Sequence, residues 1–255
     1  MSAIAPVRES DLEFDHGTFD SAAFAAAAVS SPQKLAWVID HTLLQPDATR
    51  EQIKALCEEA LQHQFACVIV NPAWVSTAVG ALSGSGIPVG SVLGFPLGAS
   101  LVSTLRQEAS ALARFGVREL DMVMPIGQLK SGNHHAVEHA IRAVVHVAHC
   151  HGAILKVTLE TSMLTTQEKL RAAEIAIHAG ADFIRTSTGF SDSGATPADV
   201  ALLRGVAGGR CGIKAAGSIR TLAEARALLE AGANRLGSSA SVAIVRELEE
   251  AGNGM

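Results

Sequence analysis

The sequence contains no C-x-x-C pair, no run of like charge and no apolar stretch near the ~20 residues a bilayer span requires, and each absence closes off a class of function. The four cysteines, Cys57, Cys67, Cys150 and Cys211, stand far apart, and no basic start leads into an apolar segment, so a reduced cytoplasm is the expected setting. A formal net charge of -5 with scattered lysines and arginines argues against a nucleic-acid or anionic-membrane surface, both of which need clustered basic side chains. A small-molecule partner is expected instead. Charged residues make up 18% of the chain and hydrophobic ones 48%, so apolar surface is ample for one compact core, and 255 residues suit one barrel-sized domain.

What the chain does contain is a rhythm. The first 33 residues, with turn material at His16-Gly17 and the run Ala25 to Ala28, show no strand-helix alternation and read as an N-terminal extension carrying one helix. From about residue 34 to residue 255, a short apolar run, a turn and an amphipathic stretch follow one another eight times. The predicted strands are 37–40, 66–70, 88–95, 119–124, 154–159, 182–186, 212–215 and 234–237, largely apolar as strands buried on both faces of a parallel sheet should be. Capping boxes are predicted at Thr49-x-x-Gln52, Thr165-x-x-Glu168 and Thr221-x-x-Glu224, and a capped helix start at Thr196-Pro197. Gly116, Gly180 and Gly232 mark helix ends that leave through a left-handed residue. Eight βα units in roughly 220 residues predict an α/β fold of the closed (β/α)₈ TIM-barrel type rather than a doubly wound sheet of about five or six units.

In such a barrel the chemistry sits at the C-terminal ends of the strands, so the polar residues that interrupt the apolar runs are the candidates. They are Asp40-His41-Thr42 on strand one, Asp121 on strand four, Lys156 with Thr158 and Glu160 on strand five, Arg185 ending strand six and Lys214 on strand seven. Of six lysines only Lys156 and Lys214 fall inside strands. They can be partners of Asp121 and Glu160 in a buried ion-pair network. They can equally form a carbonyl-handling site, because a lysine beside a second cation has its pKa lowered and its neutral amine attacks aldehydes or ketones. Both readings stand at this point.

Three loops at successive strand ends carry small residues: Thr186-Ser187-Thr188-Gly189, Ala216-Gly217-Ser218 and Gly237-Ser238-Ser239, the last opening the final helix. Small residues let backbone N–H groups approach an anion and a helix N-terminus adds its dipole, so Thr188, Gly189, Gly217, Ser218, Gly237, Ser238 and Ser239 are the candidate phosphate-binding residues. Histidines crowd at His134, His135, His139, His146, His149 and His151, but they precede strand five, opposite the expected site, and no H-E-x-x-H occurs. A solvated helix face explains them, His41 lacks a second histidine two residues away, and no metal or cofactor is called for.

These residues resemble those of the deoxyribose-phosphate aldolases, from about Ala36 to Ala251. The likeness rests on Ile39-Asp40-His41-Thr42-Leu43, Val70-Asn71-Pro72, Gly94-Phe95-Pro96-Leu97-Gly98, Leu120-Asp121-Met122-Val123, Leu155-Lys156-Val157 with Glu160-Thr161, Ala181 through Phe190, Gly212-Ile213-Lys214-Ala215-Ala216-Gly217 and Arg235-Leu236-Gly237-Ser238-Ser239. It implies a barrel that cleaves 2-deoxyribose 5-phosphate to acetaldehyde and glyceraldehyde 3-phosphate through a lysine Schiff base, without metal. By the same resemblance Asp121 matches the carboxylate that relays protons through a bound water, Lys214 the lysine that perturbs the nucleophile, and the three loops the phosphate cradle. Pairing of two copies through outer helices is left open.

The family's Schiff-base lysine precedes Thr-Ser-Thr-Gly, and here that residue is Arg185. A guanidinium stays protonated with its lone pairs delocalised, so it does not form the imine, although it can hold phosphate or carboxylate. Ser218 stands where the family usually has a second glycine, and with no tyrosine in the chain no C-terminal tyrosine assists proton transfer. Three expectations follow for Arg185: a lost or changed activity, leaving a sugar-phosphate-binding barrel without catalysis; an inactivated variant; or Lys214 as the substitute nucleophile on the neighbouring strand.

Overall fold

The computed structural model of the chain describes residues 19–253, so the His16-Gly17 turn expected in the extension lies outside it. Eight parallel strands, β1 (Ile39–Leu43), β2 (Cys67–Val70), β3 (Val89–Leu93), β4 (Glu119–Val123), β5 (Ile154–Thr158), β6 (Phe183–Arg185), β7 (Gly212–Ala216) and β8 (Arg235–Ser238), close in chain order, with β8 paired back onto β1. The helices are α1 (Ser21–Ala28), α2 (Pro32–Ala36), α3 (Arg50–His63), α4 (Val75–Ala81), α5 (Val102–Arg114), α6 (Ile126–Lys130), α7 (His134–Cys150), α8 (Thr166–His178), α9 (Pro197–Ala207), α10 (Leu222–Glu230) and α11 (Ser241–Asn253). The (β/α)₈ barrel expected from the rhythm is the fold observed.

The local signals act as read. All three capping boxes form, and Thr196 accepts from the Asp199 N–H at the start of α9. Gly116, Gly180 and Gly232 adopt φ of 102°, 91° and 116°, which an L side chain rarely tolerates. The first strand is displaced from its expected place at 37–40. Ser31 caps a short helix with Pro32 in its first turn, and the Trp37 N–H closes that turn onto the Gln33 carbonyl at 3.1 Å, so β1 begins only at Ile39. Asp40 therefore sits near the start of β1, level with Cys67 and Gly237, rather than at its end. The alanine run forms α1, which packs against α10 with Ala25 and Ala28 buried, while the Phe19 ring centroid lies 4.1 Å from the Arg204 guanidinium carbon.

The main core lies between strands and helices, and a second small apolar cluster of Leu44, Cys67, Ile69 and Val92 fills the strand-two and strand-three side of the interior. The other strands turn charged side chains inward, a division that decides where the site can be. Two inward glycines make room for large neighbours: a Cβ on Gly212 would lie 2.2 Å from the Phe183 ring, and one on Gly90 2.4 Å from Ile69 Cδ1. Overpacking of this kind costs about 1–3 kcal/mol. Gly212→Ala is expected to lower stability by about that amount in guanidinium unfolding, whereas Gly205→Ala on α9, with open space around its Cα, is expected to leave it unchanged or slightly raised.

Candidate active site

Register places the charged residues. Asp121 on β4 pairs with Lys156 on β5, Arg185 on β6 with Lys214 on β7, and Lys214 in turn with Arg235 on β8, so successive strands present one charge each to the same interior. Asp40 enters from β1. Its Oδ2 accepts from Lys156 Nζ at 2.8 Å and lies 2.6 Å from Lys214 Nζ, while its Oδ1 accepts from Arg235 at 3.0 Å. Asp121 Oδ2 accepts from Lys214 Nζ and from Arg185 Nη1, both at 2.7 Å, and its Oδ1 stands 3.5 Å from Lys156 Nζ. Glu119 completes the cluster against Lys156 and Arg235. Four cations thus face three carboxylates, all buried, leaving one formal positive charge in excess.

Burial alone would raise the carboxyls of Asp40 and Asp121. The surrounding charges outweigh it: Lys156, Lys214 and Arg235 hold Asp40, and Lys156, Lys214 and Arg185 hold Asp121, well below the usual carboxylate range. The two lysines diverge. Burial pulls Lys156 down, but Asp121, Asp40 and Glu119 together drive it well above its ordinary value. For Lys214 burial wins over Asp121 and Asp40, helped by the Lys156 and Arg185 charges, and the ammonium is easier to deprotonate than usual.

Arg185 is fully engaged in holding the loop that follows it. Its Nε donates to the Ser187 carbonyl at 2.9 Å and its Nη2 to the Thr188 carbonyl at 3.1 Å, in addition to the bond to Asp121. The same loop is braced by Glu160, whose backbone takes a left-handed φ of 59° just past β5. Its Oε2 accepts from the Thr188 hydroxyl at 2.5 Å and N–H at 3.2 Å, and its Oε1 from Ser191 at 2.8 Å. Glu160 is therefore no partner of the strand lysines, as its strand parity had suggested. The loop pulls it outward, and Asp40 and Glu119 take the place expected for it.

The three small-residue loops converge at the same mouth. Gly189, Ser218 and Ser239 are their exposed tips, and Gly217, at φ 91°, packs against Gly194, whose Cβ, if present, would lie 2.2 Å from the Gly217 carbonyl oxygen. Ser218 keeps a left-handed φ of 60° without being glycine. The Thr188 hydroxyl is taken by Glu160, and the Ser238 hydroxyl donates to the Ile219 carbonyl and accepts from the Ala240 N–H, so both shape the loops. Gly237 belongs to the charged interior, since a Cβ there would lie 3.0 Å from Lys214 Cε.

The structure thus brings Asp121, Lys156, Arg185 and Lys214 into one cluster, with the small loops at its rim. Asp40 was among the strand-end candidates but not as the lysines' partner, and Glu119 and Arg235 were not singled out, although all three are charges inside apolar strands, the signal that singled out Lys156. Ligand atoms of Asp40, Cys67 and Glu119 come within 4.8 Å of one another, but Lys156 and Arg235 already neutralise those carboxylates and the Cys67 thiol is pushed well above its usual range, mainly by burial, so the donor set does not suit a metal ion. The histidine-rich stretch forms α7, where His149 meets Asp182 at 2.8 Å.

Residues 10–249 match the DeoC/LacD family aldolases. The chain belongs to this family. It is 50% identical over 211 residues to a deoxyribose-phosphate aldolase of a Geobacillus species, covering 83% of this chain and 94% of that one. It is 48% identical over 225 residues to the deoxyribose-phosphate aldolase of Caldanaerobacter subterraneus subsp. tengcongensis, covering 88% and 97%. The tetrameric deoxyribose phosphate aldolase of Aeropyrum pernix superposes with a TM-score of 0.84 at 31% identity, covering 91% of this chain and 98% of that one. DeoC/LacD aldolases are carbon–carbon lyases, and the clustered lysines agree with that chemistry.

Asp40 and Asp121 are more acidic in the folded chain than in the unfolded one, so their stabilising contribution is complete above about pH 5 and declines steadily as the pH falls below the ordinary carboxylate range. The guanidinium midpoint is expected to fall on acidification over this range, and to fall less steeply in Asp40→Asn, which starts from a lower midpoint at pH 7.

Proposed function

We propose that the chain catalyses the reversible cleavage of 2-deoxyribose 5-phosphate to acetaldehyde and glyceraldehyde 3-phosphate. The contact that carries this reading is the 2.7 Å bond between Lys214 Nζ and Asp121, an amine and a carboxylate paired below three small-residue loops. In this reading the phosphate lies against the N–H groups around Gly189, Gly217, Ser218 and Ser239, with the N-terminus of α11 behind them. The sugar then extends toward Asp121, Lys214 and Lys156. Asp121 moves the proton at the acetaldehyde carbon, and Lys156, held as a cation by three carboxylates, keeps the interior charge in place. Four unpaired cysteines agree with a cytoplasmic setting, and no described helix is long and apolar enough to cross a membrane.

One observation favours a second reading, a sugar-phosphate-binding barrel without catalysis: all three nitrogens of Arg185 are engaged by Asp121 and the loop carbonyls, where the family's imine-forming lysine would stand. Turnover separates the two. The chain as it stands is expected to release glyceraldehyde 3-phosphate from 2-deoxyribose 5-phosphate in a coupled assay, and Arg185→Lys to raise kcat by about 10²-fold, the scale of a misplaced reacting atom. Tight binding with no detectable product, restored only by Arg185→Lys, establishes the silent barrel.

The phosphate placement has its own check. Gly194→Ala forces a Cβ into the Gly217 carbonyl and displaces the loop after β7, so the Kd for inorganic phosphate is expected to rise at least ~10-fold, by calorimetry, while the far-ultraviolet spectrum is unchanged.

A further inference from the structure

Resting on the aldolase reading, we propose that Lys214 is the amine that forms the covalent imine in this chain, one strand away from the family's position at residue 185. Four observations converge on it. First, Arg185 is tied down by Asp121, Ser187 and Thr188 and offers no lone pair for attack. Second, Lys156 and Lys214 are the only lysines within strands, and Lys156 is clamped among Asp40, Asp121 and Glu119.

Third, the cluster holds four cations against three carboxylates, so a neutral Lys214 brings this buried interior to zero net charge. Arg185 and Arg235 cannot relieve the excess, and Lys156 is held by three carboxylates, Asp40, Asp121 and Glu119, against two, Asp40 and Asp121, for Lys214. Fourth, Arg185 and Lys214 are register partners, hence about 4.8 Å apart across the sheet, so both reach the same depth. The Lys214 stem packs against Gly237, where a Cβ would lie 3.0 Å from Cε and 3.7 Å from Nζ, so only glycine leaves the ammonium this position. Gly237 lies on β8, the strand that leads into the Ser238-Ser239 loop of the phosphate mouth.

The step balances within the cluster. The neutral Nζ forms a bond to the aldehyde carbon, and the carbonyl π pair moves to oxygen, which is protonated to give the carbinolamine. That hydroxyl leaves as water while nitrogen retains one proton, giving the iminium. Removal of the proton from the sugar's 3-hydroxyl then breaks the C2–C3 bond. The electron pair passes to nitrogen as an enamine, and glyceraldehyde 3-phosphate departs. Protonation of the enamine carbon and addition of water free acetaldehyde and return the amine. Asp121, bonded to Nζ at 2.7 Å, is the adjacent base and acid.

The experiment treats the whole chain with 2-deoxyribose 5-phosphate and sodium borohydride, then maps reduced adducts by proteolysis and mass spectrometry, with phosphate binding and turnover measured in parallel. The expected result is a reduced adduct on Lys214 and progressive loss of turnover. Lys214→Arg is expected to abolish the adduct and lower kcat at least ~10²-fold while still binding inorganic phosphate, and Arg185→Lys to shift labelling toward residue 185. An unmodified Lys214 in the native chain overturns the inference, as do adducts confined to Lys156 or surface lysines. If turnover continues without labelling at Lys214, the aldolase reading survives and the assignment of the amine fails. If 2-deoxyribose 5-phosphate binds without turnover or labelling, the aldolase reading itself fails.

Discussion

The interior rests on two buried carboxylates, Asp40 and Asp121, that share the ammoniums of Lys214 and Lys156 and are flanked by Arg185 and Arg235. Charges in a barrel core are costly unless each is paired, and removing one partner leaves another uncompensated at about 3–5 kcal/mol. The arrangement therefore constrains six of the eight strands at once: β1, β4, β5, β6, β7 and β8 each contribute a member, whereas β2 and β3 supply the apolar wall of Cys67, Ile69 and Val92. A slip of one residue in any of the six would turn its charge out of the interior and into the apolar layer under the helices.

Arg185 ties one wall of the pocket to the loop that follows it. A guanidinium at this position gains what a lysine could not, a rigid fork that reaches Asp121 and two carbonyls of the following loop together. It also fixes a permanent charge beside Lys214. That charge, with Lys156, favours an unprotonated Lys214, while Asp40 and Asp121 favour the protonated form, and burial decides between them.

The rim of the site is shaped by strain as much as by hydrogen bonding. Glu160 and Ser218 both occupy left-handed backbone positions that cost a non-glycine residue roughly 1–2 kcal/mol. Glu160 is compensated by the hydroxyls and N–H it receives from Thr188 and Ser191. Ser218 holds a left-handed backbone shape that glycine adopts freely and is exposed at the tip of the loop. The close approach of Gly194 to Gly217 joins the loops after β6 and β7 into one surface, so a phosphate there would meet a preformed mouth.

By itself the sequence determined the eightfold strand-helix alternation, the helix starts at Thr49, Thr165, Thr196 and Thr221, and the identities of Asp121, Lys156, Arg185 and Lys214 as charges set in apolar strands. Those features are local, and the energies that impose them act over a few residues. Which carboxylate meets which cation was decided only when the barrel closed. Asp40 bonds Lys156 from 116 residues away, and Arg235 from 195, because β8 returns to β1. Glu160 had the right parity to pair with the lysines, yet its loop turned it outward to Thr188. The start of β1 moved for the same kind of reason, since a helical turn at Pro32 claimed the residues before it. Periodicity along the chain shows that a charge lies on a strand, but its partner is set by register across the sheet and by the loop geometry around it.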